Sequence, residues 1–233
     1  MFWAPMTLDS RFPGSDLTLD DDLRGVLALG LLDAESVGHD PLPPTFDAER
    51  DQVIARWTAI AAERVQADLP GLAEVRAMFH RLDIDPTKTR PSSEALLRRV
   101  LQGKGLPRVN PVVDVCNLCS LEHQLPLGLY DRDRVHGGIR ARAGREGEGY
   151  DGIRKDRVNL AGRLLLADDQ GPFGAPTSDS LRSAITDQTQ RLMVVVFCPS
   201  ERASSELTSA LERIADRLTR FCSAQVMAVR VLQ

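Results

Sequence analysis

Gly105-Leu-Pro-Arg-Val-Asn110-Pro-Val-Val-Asp114-Val-Cys-Asn117-Leu-Cys-Ser-Leu-Glu-His123, followed by Pro126-Leu-Gly-Leu-Tyr-Asp131, is the stretch from which the rest of the chain is read. Gly103 and Gly105 stop a preceding helix, and Asn110-Pro111 opens a new one. The Asn side chain accepts from a free backbone N–H, and Pro at the first helical position gives up a donor that had no partner. Val112, Val113, Cys116 and Cys119 supply an apolar stripe that carries this helix to about His123. Asp114 and Asn117, spaced i, i+3, project from one face with Leu118 and Leu121 following, as a pocket wall or a solvated polar face would. After Pro126 the pattern shortens to strands and turns.

Working outward, helices are expected over 46–66, from Pro70 to about Leu82, and from Pro91 to Leu101. Strands are expected at Leu23–Leu32, Leu127–Tyr130, Ile139–Arg142, Arg163–Ala167, Met193–Phe197 and Val226–Leu232. Gly171-Pro-Phe-Gly-Ala-Pro176 reads as a loop emptied by a central strand, with Ser178-Asp179-Ser180 behind it. Ser200 is expected to cap a last helix whose Leu207, Leu211, Ile214, Leu218 and Phe221 share a face. Strands and helices interleave, which predicts an α+β fold with a mixed β-sheet and helices packed against it. Residues 1–19 read as an irregular segment, and 20–233 as a single domain.

The 233 residues are 42 % hydrophobic and 27 % charged, enough for one large core. The longest apolar runs, such as Leu192–Cys198, fall far short of a membrane span. Met1-Phe-Trp-Ala-Pro5 lacks the cationic start of a secretory signal, so a cytoplasmic location is expected. Cys116-x-x-Cys119 has no second Cys/His pair at ligand spacing and lies in an apolar helix, so it reads as two small hydrophobes; no metal and no cofactor are expected. Net charge is −4, but Lys88–Arg163 holds about 15 basic against about 9 acidic residues, a basic middle on an acidic body. There is no G-x-S-x-G elbow and no H-E-x-x-H, and His80, His123 and His136 read as structural or exposed.

The 105–131 stretch closely resembles the part of the B3/B4 domain, the editing module of the phenylalanyl-tRNA synthetase β subunit, that runs through "VVDxTN" to "PLHAFD". Asp85-Pro-Thr-Lys88, Arg90-Pro-Ser-Ser-Glu-Ala-Leu-Leu-Arg-Arg99 and Asp179-Ser-Leu-Arg182 with Ile185-Thr186 resemble free-standing versions of it, so the likeness covers roughly 70–198. The resemblance implies a B3/B4-like fold and a trans-editing deacylase that hydrolyses the ester of a mischarged aminoacyl-tRNA, including one carrying an arginine analogue. In the synthetase the editing pocket includes a Thr-Asn pair, matching Cys116 and Asn117, and a histidine matching Gly128. Only Asn117 is kept, which implies a pocket other than the one that recognises tyrosine.

An aminoacyl ester is already activated, so a positioned water and oxyanion stabilisation suffice for its hydrolysis. Asn117 and Asp114 are expected to orient water or substrate, and Asp179 and Ser180 to hold the amino group or side chain, with a helix cap as the alternative for Ser180. Arg98, Arg99, Lys104 and Arg108 are expected to meet the phosphates of a tRNA acceptor end, unless they form surface ion pairs. Gly128 and Arg182 complete the expected binding set. The competing readings are a non-catalytic tRNA- or RNA-binding adaptor and a protein that binds an amino-acid-like small molecule.

Overall fold

The computed structural model describes residues 17–64, 69–153, 156–202 and 205–233. At its centre lie two nine-residue strands, β2 (Leu27–Glu35) and β9 (Arg191–Pro199), paired antiparallel with Leu31 opposite Val195. Both read as nearly unbroken hydrophobic runs because both faces of their sheet are covered. β10 (Gln225–Leu232) and β3 (Leu127–Asp131) flank them, giving the order β10-β2-β9-β3.

The two faces meet different layers. A Cβ on Gly30 would sit 2.7 Å from Leu207 of α5 (Ser205–Cys222), so the missing side chain lets this helix lie close against the sheet. α5 buries Leu207, Leu211, Ile214, Leu218 and Phe221, the face its sequence predicts. Beside it packs α4 (Pro111–His123), which also touches α3 (Ser92–Leu101) and α1 (Pro44–Ala62). A further helix, α2 (Leu72–Arg81), contacts β9.

On the opposite face the Tyr130 ring meets Phe173 edge-on, with centroids 4.9 Å apart. Phe173 belongs to a second sheet, ordered β1 (Leu17–Leu19), β4 (Ile139–Ala143), β7 (Leu164–Asp168) and β8 (Gly171–Gly174). The architecture is α+β: helices, then one four-stranded sheet, then another. A small hairpin, β5 (Gly149–Asp151) with β6 (Arg157–Asn159), forms a satellite core in which Tyr150 meets Leu165, Ala167 and Ala175.

Several sequence expectations shift. Leu17–Leu19, expected irregular, pair with β4; the rest of the irregular segment, through Asp16, lies outside the described residues. Leu23 sits in a 3-10 turn, and the strand expected from it starts at Leu27. The helix expected to reach residue 66 ends at Ala62, and residues 65–68 are outside the described set. Gly171–Gly174, expected as loop, is strand β8, because Leu166 and Ala167 offer it an unpaired edge. Ser200 opens a 3-10 turn and donates to the Gly25 carbonyl at 2.6 Å, and α5 begins at Ser205.

Candidate active site at the edge of strand β3

β3 pairs with β9 on one side only, and a strand edge with free amides demands partners. The segment after β8 supplies them. The Asp131 N–H donates to the Ser183 carbonyl at 2.9 Å, and Thr189 Oγ1 donates to the Asp131 carboxylate at 2.8 Å. The segment is itself pinned: the Ser180 amide and the Ser183 hydroxyl both donate to the Phe173 carbonyl. Tyr150 Oη donates to the Ser178 carbonyl, and the Ser92 amide at the start of α3 donates to the Pro176 carbonyl at 3.0 Å. Asp179 is therefore held in place by backbone bonds on both sides of it.

Its carboxyl is the unusual group of the region. Burial pushes it up to about 7, against the opposing pull of the Tyr130 hydroxyl and the Leu129 and Ala175 amides. No cation appears among the groups acting on it. Among the described residues its Oδ1 is buried without a hydrogen-bond partner, and so is Ser92 Oγ, whose own backbone amide reaches Pro176. A carboxylic acid that changes protonation near neutrality is suited to take or give a proton.

Tyr130 is the residue that sequence reasoning missed. It is 0 % exposed, and burial followed by the proximity of Asp179 raises its hydroxyl well above the ordinary phenol range. Its ring lies in a slot made by two glycines, since a Cβ on either Gly128 or Gly174 would overlap the Tyr130 hydroxyl. The signal was present in the sequence: Tyr130 and Gly128 are two apart on a strand, so they share a face. Gly128 thus contributes space, and the hydroxyl of Tyr130 occupies the position where a side chain at 128 would be.

The other expected residues fall differently. Asp114 is 6 % exposed and finishes the start of α4: it accepts from the Val109 amide at 2.8 Å and pairs with Arg108 at 3.1 Å. Burial raises its pKa, and the Val109 amide and Arg108 act against that rise. Leu118 and Leu121, which follow it on the helix, are buried in the main core instead of lining a wall. Asn117 is half-buried, and among the described residues its side-chain amide has no hydrogen-bond partner. The polar partners of Asp114 and those of Asp179 have no residue in common. Ser180 Oγ accepts from the Arg182 amide at 3.1 Å and so closes a turn; no helix starts there among the described residues.

Arg182 forks onto Asp168 at 2.9 and 3.0 Å and lies over the Phe173 ring, clamping β8 to β7. Arg98 joins Arg76 and Arg90 around Glu94, a fully buried carboxylate that Arg76 grips with Nε and Nη2. Three cations on one buried acid leave a net positive surface along α3. Arg108 pairs with Asp47 as well as Asp114. Arg99 and Lys104 are exposed, without an ion pair among the described residues. Cys116 and Cys119 are buried and reduced, and burial pushes the Cys119 thiol up to about 11. Among the described residues no group of three or more His, Cys, Asp or Glu is placed to hold a metal, and no helix is long and apolar enough to cross a membrane.

Helices packed on one of two four-stranded sheets define the class, an α+β fold. The chain belongs to the B3/4 domain family, which it matches over residues 74–228. The phenylalanine–tRNA ligase β subunit of Nitratidesulfovibrio vulgaris is 30 % identical over 84 % of this chain and 25 % of its own. That of Streptomyces avermitilis is 35 % identical over 61 % of this chain and 18 % of its own. An N-terminal fragment of the Pyrococcus horikoshii β subunit aligns with 92 % of this chain and 51 % of the fragment, at TM-score 0.47 and 14 % identity. The chain spans a quarter or less of the length of these two curated relatives.

Proposed function

We propose that this chain is a trans-acting aminoacyl-tRNA deacylase, hydrolysing the ester that joins a wrong amino acid to tRNA in the cytoplasm. The observation that carries this reading is Asp179: a buried, cation-free carboxyl near pKa 7, beside the Tyr130 hydroxyl, in a chain of the B3/4 family. In the proposed reaction ionised Asp179 accepts a proton from water as the oxygen attacks the ester carbonyl. The ester C–O bond then breaks and the ribose oxygen takes that proton back from Asp179, giving free amino acid, uncharged tRNA and ionised Asp179. General acid–base help of this kind is worth about 10²–10⁴-fold. Arg99 and Lys104, exposed near the Arg76–Arg90–Arg98 cluster in sequence, are the residues proposed to meet acceptor-end phosphates.

The test is release of amino acid from a panel of mischarged tRNAs by purified protein, with Asp179→Asn and Asn117→Ala as variants. The panel includes tRNA carrying an arginine analogue, whose cationic side chain a carboxylate attracts. Proton transfer at Asp179 gives a rate that climbs with pH through about 7 and then levels. A purely cation-binding Asp179 leaves kcat flat and raises KM in the variant instead. One observation favours a non-catalytic tRNA-binding adaptor: the Tyr130 hydroxyl fills the space beside Gly128. Salt-dependent tRNA binding without turnover across the whole panel would establish that reading.

A further inference from the structure

A second place in the molecule holds unfinished hydrogen-bonding groups. A groove of about 590 Å³ opens between α1, the start of α2, the end of α4 and the start of α5. That volume lies within the usual range for small-molecule sites. Three of its lining side chains, Trp57, His123 and Arg202, each carry a buried nitrogen without a hydrogen-bond partner among the described residues: Nε1, Nε2 (4.0 Å from Glu122) and Nη1. Trp57 is only 3 % exposed. Its indole and the Arg202 guanidinium are donors only, so what both lack is an acceptor.

The surroundings say which acceptor. Arg202 is already oriented, its Nε donating to Glu206 at 2.7 Å and its Nη2 to the His123 carbonyl at 2.9 Å, which leaves Nη1 over. α2 starts at the groove from Gly71, which is left-handed (φ +79°) and gives no side-chain cap, and a Cβ there would stand 3.0 Å from Arg202 Nη1. Uncapped first-turn amides favour a negative group. The lining carboxylates Glu122 and Glu206 are committed to Arg217 and Arg202. The lining holds three arginines and three glutamates, so a doubly charged anion gains little over a singly charged one.

We infer that this groove binds a small monocarboxylate, its oxygens accepting from Trp57 Nε1 and Arg202 Nη1. The groove shares no lining residue with the Asp179 region, and the inference is independent of the deacylase reading.

The chain has two tryptophans, Trp3 and Trp57, so two indole N–H signals report on ¹⁵N-labelled protein, and Trp57→Phe assigns them. Acetate and glycine are titrated at constant ionic strength, with inorganic phosphate as the contrast. The expected result is a saturable shift of the Trp57 indole with acetate and with glycine, and weakening by about tenfold in Arg202→Met. Should Arg202→Met fail to fold, Arg202→Lys keeps the charge, loses the guanidinium fork and reads the same weakening. No saturable movement of the Trp57 signal with either carboxylate overturns the inference. So does tighter binding of phosphate than of acetate, or unchanged affinity in a folded Arg202 variant.

Discussion

Asp114 at the head of α4 and Asp179 behind β8 are both acids whose pKa is raised by burial of the carboxyl, yet their neighbourhoods differ in one respect. Asp114 has Arg108 at 3.1 Å and a backbone amide at 2.8 Å, so its charge is neutralised and its lone pairs are used. Asp179 has amides and a phenol but no cation, and its Oδ1 is left over. A buried acid with a matched cation is a piece of architecture, whereas one without a cation hovers between protonation states. Proton chemistry belongs to the second kind.

Substitution is the sharpest way to break that contrast. Asp179→Asn is expected to lower deacylation by about 10²–10⁴-fold, whereas Asp114→Asn should change it by no more than a few-fold in protein of intact fold. Equal losses measured by amino-acid release would erase the distinction. The next effect is on stability against pH. The folded pKa of Asp179 is raised from 3.8 to about 7, so the native state holds the extra proton between those values. Its contribution is complete below about 4 and is lost as pH rises through about 7, a change on the order of 4 kcal/mol. Urea unfolding should show Asp179→Asn gaining on the wild type as pH goes from 5 to 8. Glu148 runs the other way: bonding to Arg142 lowers it to about 2, so its contribution fades only as pH falls below the ordinary carboxylate range.

Smaller effects separate the slot from the cap. Gly128→Ala places a methyl where the Tyr130 hydroxyl lies and is expected to cost roughly 1–3 kcal/mol in chemical denaturation. Adding Tyr130→Phe removes the oxygen but leaves ring carbons no more than 2.8 Å from the new Cβ, so only part of that loss should return; full recovery in the double mutant would mean that the ring has room to shift. Asp114→Ala leaves the Val109 amide without its acceptor and Arg108 with Asp47 alone, for about 1–2 kcal/mol.

The helices were legible because each carries its own evidence. Asn110 caps α4 through Val113, as its position before Pro111 predicts, and the apolar spacing of α5 is local information. β2, β3, β9 and β10 were legible as apolar or alternating runs. β1, β5 and β6 are three residues each, too short for a period to register, and β8 carries two glycines and a proline. The resemblance drew attention to Asp179 and Ser180 together, yet their roles diverge: one side chain is left with a buried, unpaired oxygen and the other caps a turn.

By itself, then, the sequence determined the α+β layering, the α4 cap, the amphipathic face of α5 and membership of a family. Those features rest on contacts within a few residues, or on a motif order that survives without knowledge of distance. Only the tertiary structure decided which acid is satisfied. Arg108 reaches Asp114 from a few residues away, whereas Tyr130, Gly128, Gly174 and Asp179 meet across nearly fifty residues and two sheets. A pKa is set by every charge and dipole within a few ångströms and by the water excluded, and none of these is fixed until the chain has folded.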